Sequence, residues 1–450
     1  MSLSDLENVE KVLDMVLKGK RIMKVVVLGV GYVGLPLAIT LARTGYEVVG
    51  VDVNEEVVNT LNKGRLPLKE KGVENAFNER RVQERFTAST KPCLADVFIV
   101  CVQTPLHPTT KLPDLSYLST AIQSIVSLLR KGNLVIIEST VPPLTCRNIV
   151  KPLIEHGSKL KVGKDVSVAL CTERILPGET LHELIYNNRV IGGVDSKSAQ
   201  HAKRLYSSFV KGEIDLTDEV TAEMVKLTEN TFRDVNIALA NELSLVAETL
   251  DVDIKEVIRL ANKHPRVKVL SPGIGVGGHC LPKDPWFLVH SDPKKTDLIQ
   301  TARKVNEQMP NYVASKIRRA LREVSEPKIV VLGMTYKPDS DDLRESPSLE
   351  IIRLLENDGY AVAAYDNLVK NHEYSSLLDI VRRADCLAVL VEHTEIKRDL
   401  AKYEGQIKSL MRNPIVLRIG TSYVPDAFDA RQGERRHNGK VNTRETKGKT

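Results

Sequence analysis

Residues 25–38 have the sequence VVVLGVGYVGLPLA, and this stretch decides the fold of the first part of the chain. An apolar strand pattern leads into Gly29, Gly31 and Gly34, which open a helical pattern and enclose Tyr32 and Val33. Glycines at this spacing allow a tight turn whose backbone amides approach a pyrophosphate at the positive end of a helix. The stretch therefore predicts a dinucleotide-binding domain with these five residues as cofactor contacts.

The next strand pattern, GYEVVGVD at residues 45–52, ends in Asp52. A carboxylate at this position can accept hydrogen bonds from both hydroxyls of an adenosine ribose, and it repels a 2'-phosphate. The sequence therefore favours NAD over NADP. The alternative is that the three glycines only pack a helix against a sheet, but the strand, the spacing and the acid together favour a cofactor site.

Short apolar runs alternate with helical patterns up to about Gly193. This alternation is typical of a parallel sheet flanked by helices. The first part of the chain should therefore be an α/β domain. Its predicted strands are Lys24–Leu28, Glu47–Val51, Val97–Val102, Leu134–Glu138 and Val166–Cys171.

From about Ala199 the pattern changes to long helical periods, so we expect an all-helical middle section. Its longest predicted helix is Thr221–Leu250, and a loop rich in proline and glycine at Pro265–Pro285 separates this helix from another at Leu298–Arg322. Beyond it the α/β alternation restarts, with a helix predicted at Ser348–Asp358. The strands predicted there are Lys328–Gly333, Ala361–Tyr365, Cys386–Val391 and Pro414–Arg418.

These patterns predict an α/β protein in which two Rossmann-like, doubly wound parallel-sheet domains are joined by a central helical domain with one long helix. The second α/β unit echoes the first, because each has a first strand ending in Leu-Gly and a second strand ending in aspartate, Asp52 or Asp366. The expected segments are an N-terminal helical extension (1–20), an NAD-binding Rossmann domain (21–205), a central helical domain with a cysteine loop (206–322), a second Rossmann-like domain (323–430) and a basic flexible tail (431–450).

Composition excludes several classes of protein. The 450 residues are 42% hydrophobic and 27% charged, as in ordinary globular proteins. Much of the net charge of +6 comes from the tail Arg431–Thr450, which has no nucleic-acid-binding motif. The six cysteines lie far apart, which argues against disulfides or a metal site and fits a reducing cytoplasm. Residues 1–20 are partly acidic and resemble neither a signal peptide nor a membrane anchor.

The segment PGIGVGGHCLPKDPWF at residues 272–287 carries the chemistry. A lone cysteine is more often a small buried hydrophobe than a nucleophile. Cys280, however, follows a glycine-rich loop and lies among His279, Lys283 and Asp284, polar residues that can stabilise a thiolate. Cys280 is therefore a candidate catalytic nucleophile.

Together with the segment TAEMVKLTENTFRDVNIALANE at residues 221–242, this loop identifies a resemblance. The chain resembles the UDP-glucose and UDP-N-acetylmannosamine dehydrogenases from about Lys24 to about Ile419. The resemblance implies that Lys226 and Asn230 face the reacting carbon. Residues four apart share one helix face, and an ammonium and an amide there can stabilise an oxyanion at the sugar C6.

The resemblance implies further roles, and it makes the segment 323–430 a UDP-sugar-binding domain. In IEST, Thr140 lies near the nicotinamide and the catalytic water, and in CVQTP, Thr104 contacts the cofactor. In TERILPG, Glu173 accepts a proton or orients water. The implied contacts to the sugar nucleotide, besides Lys226 and Asn230, are Arg174, Arg266 of HPRV (a contact that can cross a subunit interface), Gly277, His279, and Lys337 and Arg344 of KPDSDDLRESP.

The implied reaction converts an alcohol to an acid, which removes two hydrides and uses two NAD. The first oxidation gives an aldehyde, and Cys280 adds to it as a thiohemiacetal. The second oxidation gives a thioester, which water hydrolyses with help from Glu173 or Asp284. Without a thiolate, oxidation is expected to stop near the aldehyde.

The expected sugar is UDP-N-acetyl-D-mannosamine, because His279, CTERILPG and HPRV resemble the N-acetylhexosamine branch of the family. The Leu-Pro-Lys after Cys280 is closer to the glucose branch, so UDP-glucose and UDP-N-acetylglucosamine stay open as substrates. Two further departures, Thr172 and Gln103 in place of usual prolines, bear on local backbone shape alone.

Two other classes are weighed against this interpretation. Dehydrogenases of 3-hydroxy acids carry a similar Lys-x-x-x-Asn helix and oxidise once, but they need neither Cys280 nor a second α/β domain. A non-enzymatic sensor of NAD or sugar nucleotide is expected to lose the reactive groups, which are present here. The resemblance also implies a homodimer formed through the central helices, whereas no nucleic acid or membrane partner is expected.

Overall fold

The computed structural model describes residues 22–68, 70, 72–175, 178–369 and 376–419. The predicted N-terminal extension (1–20) and basic tail (431–450) lie outside these residues. The described chain divides into two compact units. Unit 1 holds the residues up to Thr231 together with Lys283–Asp297, and unit 2 holds Phe232–Pro282 and the residues from Leu298 onward.

Unit 1 is built on a sheet of eight described strands in the order β3-β2-β1-β4-β5-β6-β7-β8. Neighbouring strands run parallel except for β6 and β7, which are antiparallel. The strands are β1 (Lys24–Leu28), β2 (Glu47–Val51), β3 (Phe86–Ser89), β4 (Val97–Val100), β5 (Leu134–Ile137), β6 (Ser167–Leu170), β7 (Arg189–Gly193) and β8 (Ile214–Asp218).

Both faces of this sheet are buried, which explains its continuous apolar strands. Val25 and Val27 belong to the core on one face, and Val26 and Leu28 belong to the core on the other. Helices cover the two faces. They are α1 (Gly34–Thr44), α2 (Glu55–Asn62), α3 (Val73–Phe77), α4 (Arg80–Gln83), α5 (Ser116–Ile125), a π-helix (Cys146–Val150) that leads into α6 (Lys151–Ser158), α7 (Thr180–Tyr186) and α8 (Ser196–Tyr206).

The longest described helix, α9 (Glu219–Thr249), contributes its residues up to Thr231 to unit 1 and the rest to unit 2. Unit 1 also contains α11 (Asp284–Ser291), and unit 2 contains α10 (Ile254–Ala261) and nearly all of α12 (Asp297–Leu321). No helix among the described residues is long and apolar enough to cross a membrane.

Unit 2 carries a second sheet, in the order β10-β9-β11-β12 with every pair parallel. Apolar cores cover both of its faces. Its strands are β9 (Lys328–Leu332), β10 (Ala361–Tyr365), β11 (Cys386–Val389) and β12 (Ile415–Arg418), and its helices are α13 (Pro347–Asn357), α14 (Leu377–Ile380) and α15 (Thr394–Leu410).

The predicted fold class is confirmed, with one mainly parallel sheet, one fully parallel sheet and a long helix between them in the chain. Each predicted strand is present within two residues at either end. The prediction of an all-helical section after Ala199 is wrong at one place, because β8 (Ile214–Asp218) pairs with β7 and ends the first sheet. Strands β3 and β7 were not predicted either, and the antiparallel β6–β7 pair makes the first sheet mixed.

Candidate active site

The glycine loop after β1 has the close contacts that its sequence predicts. Gly29 has φ +88°, and a Cβ there would lie 2.6 Å from the Cys101 carbonyl oxygen. A Cβ on Gly34 would lie 1.9 Å from the Gly29 carbonyl oxygen. A Cβ on Gly31, by contrast, would meet no atom of the described residues within 4 Å. The outer glycines are therefore required by the fold, while Gly31 leaves open space beside the backbone.

Helix α1 begins without a side-chain cap at Val33 and without an acidic residue in its first turn. Tyr32, just before it, is exposed. The positive end of the helix dipole therefore faces no protein carboxylate within this turn. This arrangement, with the open space at Gly31, fits the pyrophosphate of a dinucleotide.

Asp52 directly follows β2 and faces the same loop. One carboxylate oxygen accepts the Val30 amide at 3.2 Å, and the other accepts the Asn54 amide at 3.0 Å. A carboxylate has about four acceptor sites, so two backbone bonds leave capacity for ribose hydroxyls. The strand order changes direction between β1 and β4, which is where ligands of such sheets bind. The residues present thus fit an NAD site.

Unit 1 also joins the ends of β4 and β5 to the start of α11. The Thr104 hydroxyl donates to the Thr140 carbonyl at 2.7 Å. The buried Lys283 ammonium donates to the Thr104 hydroxyl at 3.2 Å. These bonds fix the two predicted cofactor-side threonines relative to one another.

Lys226 on α9 contacts Glu173, which follows β6. The Lys226 ammonium donates to the Glu173 carbonyl at 2.7 Å and lies 3.3 Å from its carboxylate. The second carboxylate oxygen of Glu173 accepts the Ile175 amide at 2.6 Å. Both charged side chains are buried, so each is stabilised by its partner rather than by bulk water.

Asn230, one helical turn further along α9, donates to Asp284 at 2.6 Å. Asp284 is 0% exposed, and its other oxygen lies 3.8 Å from the Lys283 ammonium. Burial raises the pKa of Asp284, although Lys283 and Lys226 oppose that rise. A buried carboxyl group with a raised pKa and a charged partner is typical of a functional site.

In unit 2, the cysteine loop packs against the segment that joins β9 to α13. A Cβ on Gly277 would lie 2.5 Å from the Glu345 carbonyl oxygen, and a Cβ on Gly278 would lie 2.9 Å from the Tyr336 ring. The Gly278 amide donates to the Arg344 carbonyl at 3.0 Å. These two glycines therefore permit an approach that no larger residue allows.

Cys280 is partly exposed at the end of this loop. Its Sγ lies 3.7 Å from His279 Nδ1, so the thiol has a basic partner next to it. The Tyr336 phenol lies near this thiol. Burial raises the pKa of Tyr336, and the negative charges of Asp342 and of ionised Cys280 add to the rise. The predicted residues Gly277, His279, Cys280 and Arg344 thus lie together in unit 2.

The remaining predicted substrate residues have other partners in their own unit. Arg344 makes a bidentate ion pair with Asp342, with bonds of 2.7 and 2.9 Å. Burial raises the pKa of Asp342, but the hydrogen bonds from Arg344 outweigh it and keep that pKa below its ordinary value. The Lys337 ammonium lies 5.9 Å from the centre of the Tyr336 ring. Both cations therefore lie on the segment that holds the cysteine loop.

The predicted arginines Arg174 and Arg266 belong to different units, Arg174 to unit 1 and Arg266 to unit 2. Arg174 pairs with Glu229 and donates to the Asn188 carbonyl at 3.0 Å. Arg266 lies on an exposed segment after α10. Arg174 therefore lies next to the predicted residues of unit 1, because it follows Glu173 in the chain and its partner Glu229 precedes Asn230 on α9.

Two sets of contacts in the site were not predicted. Lys283 bridges Thr104 and Asp284, and its place between Cys280 and Asp284 in the sequence was the available signal. Glu223 on α9 holds the backbone after Thr140, and no local sequence signal shows this. Among the described residues no group of three His, Cys, Asp or Glu side chains could hold a metal ion.

The predicted similarity between the two α/β units is present in one hydrogen bond, which the aspartate after the second strand accepts in each unit. Asp366, at the end of β10, accepts the Met334 amide at 2.7 Å, just as Asp52 accepts the Val30 amide. Unlike Asp52, Asp366 is fully buried and lies 2.9 Å from His393 Nε2. The Asp366 carboxylate thus forms its hydrogen bonds within the protein core, where a ribose cannot reach it.

The chain is similar to known proteins over most of its length. Three family models match the chain, all from the UDP-glucose/GDP-mannose dehydrogenase family. They are the NAD binding domain at residues 23–210, the central domain at residues 220–308 and the UDP binding domain at residues 330–422.

Individual relatives match over most of their length. The UDP-N-acetyl-D-mannosamine dehydrogenase of Methanocaldococcus jannaschii is 46% identical over 89% of this chain and 92% of its own. That of Methanococcus aeolicus is 43% identical over 89% and 91%. The solved UDP-D-ManNAc dehydrogenase of Pyrococcus horikoshii has a TM-score of 0.85 at 43% identity and covers 90% of this chain and 96% of its own.

Proposed function

The chain belongs to the UDP-glucose/GDP-mannose dehydrogenase family, and on this premise we propose that it oxidises the C6 alcohol of UDP-N-acetyl-D-mannosamine to a carboxylate. It has the family's NAD-binding domain, and its cofactor is NAD. The UDP-binding domain supports a UDP-sugar as substrate. The choice of sugar is supported by relatives that carry this substrate in their names.

The observation that carries the proposal is the buried array on α9. Lys226 and Asn230 lie one turn apart, and each is paired with a carboxyl group, Glu173 or Asp284. Buried donors fixed in this way can stabilise an alkoxide without the reorganisation that water would need. The two acids supply sites for a proton that leaves the substrate.

The residues that would hold NAD are those of the glycine loop, Asp52 at the ribose, and Thr104 and Thr140 on the nicotinamide side. When bound, NAD accepts the hydride in each of two oxidations at C6. The chain's own task is then to take up the protons, to stabilise negative charge on oxygen and to hold the sugar between the two oxidations.

Cys280 performs the last of these tasks in the proposed mechanism. In the first oxidation the C6 hydroxyl loses its proton to a carboxylate, and Lys226 and Asn230 stabilise the oxygen. The Cys280 thiolate then forms a C–S bond to the aldehyde carbon, and the second oxidation turns this thiohemiacetal into a thioester. Water that has lost a proton to Glu173 or Asp284 breaks the C–S bond, and the thiol regains its proton.

The substrate contacts proposed besides Lys226 and Asn230 are Arg174, Arg266, Gly277, His279, Lys337 and Arg344. In this assignment residues 21–205 bind NAD, 206–322 supply the cysteine loop and 323–430 bind the UDP-sugar. We place the reaction in the cytoplasm, where reducing conditions keep the thiol of Cys280 from being oxidised.

We further propose a homodimer through the central helices. Phe232, Leu239 and Val246 are large, exposed apolar residues spaced seven apart on α9, the spacing of a helix-packing stripe. Val257 and Leu260 of α10 are also exposed. Light scattering of the wild type should give twice the chain mass of 50.1 kDa, and Leu239→Lys should shift the mass toward one chain.

The test of the activity is a count of NADH formed per sugar consumed. Purified protein is mixed with excess NAD and limiting UDP-N-acetyl-D-mannosamine, UDP-N-acetylglucosamine or UDP-glucose. The variants are Cys280→Ala and, as a matched control, Cys93→Ala, which removes another partly exposed cysteine. We expect two NADH per sugar, fastest with UDP-N-acetyl-D-mannosamine, in the wild type and in Cys93→Ala.

Cys280→Ala should not complete the oxidation to the carboxylate, because no thioester can form. One NADH per sugar in the wild type would instead indicate a single-oxidation dehydrogenase. Full activity of Cys280→Ala would remove the thioester from the mechanism. A faster reaction with UDP-glucose would correct the sugar, and binding without any oxidation would favour a sensor.

A further inference from the structure

Glu223 is a buried acid whose contacts link two parts of the proposed site. It lies on α9 three residues before Lys226 and is 1% exposed. One of its carboxylate oxygens accepts the Leu144 amide at 2.6 Å, and the other accepts the Cys146 amide at 2.8 Å. Glu223 therefore attaches the segment that follows Thr140 to the helix that carries Lys226.

The attached segment has backbone features that need such support. Leu144 has φ +72°, a conformation that costs free energy for a leucine. The next residues begin the π-helix Cys146–Val150, which continues into α6. Amides at the start of a helical segment have no partners within it, and a negative charge there is favoured by the helix dipole. The Glu223 carboxylate supplies both the acceptors and the charge.

The groups that surround Glu223 decide its charge state. Burial raises the pKa of Glu223 to about 7, the amide and thiol of Cys146 and the amide of Leu144 oppose the rise, and Glu219 one turn earlier on α9 adds to it. Glu219 is itself paired with Arg147 at 2.9 Å. Glu223 therefore gains or loses its proton in the neutral range rather than far from it.

We propose that Glu223 is a positioning residue for the oxidation, which it supports by fixing the Thr140 segment against α9 when ionised and releasing it when protonated. A carboxylate accepts strongly from both amides, whereas protonation puts a hydroxyl donor on one oxygen and leaves that oxygen a weak, uncharged acceptor. Protonation thus weakens one of the two amide bonds. This inference rests on the proposed function, since it concerns the same reaction.

The test compares Glu223→Gln with Glu219→Gln in the full-length protein. Glutamine at 223 has a similar shape but cannot ionise, and its NH2 group, which cannot accept, replaces one of the two oxygens that accept the amides. Glutamine at 219 removes the neighbouring negative charge and leaves both amide contacts in place. The measurements are kcat and KM from pH 5.5 to 9, and hydrogen exchange of peptides covering residues 140–150 without substrate or NAD.

Glu223→Gln should lower kcat about tenfold to a hundredfold, since small misplacements near reacting groups have effects of this order. The KM for the sugar should change little, and the fall of kcat below about pH 7 should be absent. Exchange at residues 140–150 should be faster than in the wild type. Glu219→Gln should keep the plateau kcat but shift the acid limb to lower pH.

Wild-type kcat and an unchanged acid limb in Glu223→Gln would overturn the inference. If that variant does not fold, Glu219→Gln decides, and an acid limb that stays in place would overturn the inference equally. If the wild type oxidises none of the sugars, the proposed function fails, and the exchange measurement still shows separately whether Glu223 holds the segment.

Discussion

Replacing Glu223 with glutamine should also change how the stability of the protein depends on pH. Burial raises the pKa of this carboxyl group from 4.5 to about 7 in the folded chain. The folded state therefore binds the proton more tightly than the unfolded chain does. Its stabilising contribution is complete below about pH 4.5 and is lost as the pH rises to about 7.

The size of this loss follows from the two pKa values. A rise from 4.5 to about 7 corresponds to about 3 kcal/mol, because one pKa unit is equivalent to about 1.4 kcal/mol. Glu223→Gln lacks this titration, so the variant should gain about 3 kcal/mol relative to the wild type between pH 5 and pH 8. For a folding unit of this size the gain is about 6 to 12 °C in Tm.

The assay is calorimetry of both proteins at several pH values, and the quantity to compare is the difference between their Tm values. Subtraction removes the contributions of other carboxyl groups, such as Asp284, whose pKa is raised by burial, and Asp366, whose pKa lies below its ordinary value. Lost amide contacts add a constant offset. A difference that stays the same from pH 5 to pH 8, or that moves in favour of the wild type, would refute the reasoning.

Three further predictions concern single residues. Gly31→Ala should leave Tm within about 1 °C but raise the KM for NAD at least tenfold, whereas Gly34→Ala should lower Tm, because its Cβ would overlap the Gly29 carbonyl. Asp52→Asn should shift the ratio of kcat/KM for NAD over NADP at least tenfold toward NADP, as steady-state kinetics will show. Arg303→Met should cost about 3 to 5 kcal/mol in denaturant unfolding, because it leaves the buried Asp234 carboxylate without its ion pair.

The sequence predicts those parts of the site that depend on local pattern. The glycine loop and Asp52 are separated by one strand and one helix, so their meeting follows from parallel strand geometry alone. Strand β8, with the sequence IDLTD, was not predicted because it is short and half polar and lies between two helical patterns. Its strand identity depends on pairing with β7, which is a tertiary contact.

Contacts between residues far apart in the sequence could not be predicted from local sequence patterns. Glu223 receives two amides that lie more than seventy residues earlier in the chain, and a glutamate in a helix ordinarily indicates a solvated face. The resemblance implied roles for Lys226 and Glu173 in one reaction, but the contact between them was not predicted. Burial, which raises the pKa of both Glu223 and Asp284, is a property of the folded chain and cannot be assigned from composition.

Substitutions of the two matching aspartates, which follow β2 and β10, should have different effects. Asp52 keeps acceptor capacity toward the outside of its loop, so its replacement should reduce catalysis while leaving the amount of folded protein in the cell nearly unchanged. Asp366 accepts the amides of Met334 and Leu368 and contacts His393 inside the core, so its replacement should reduce cellular abundance first. A mutational scan that measures abundance and turnover separately should therefore find reduced turnover for variants of Asp52 and reduced abundance for variants of Asp366.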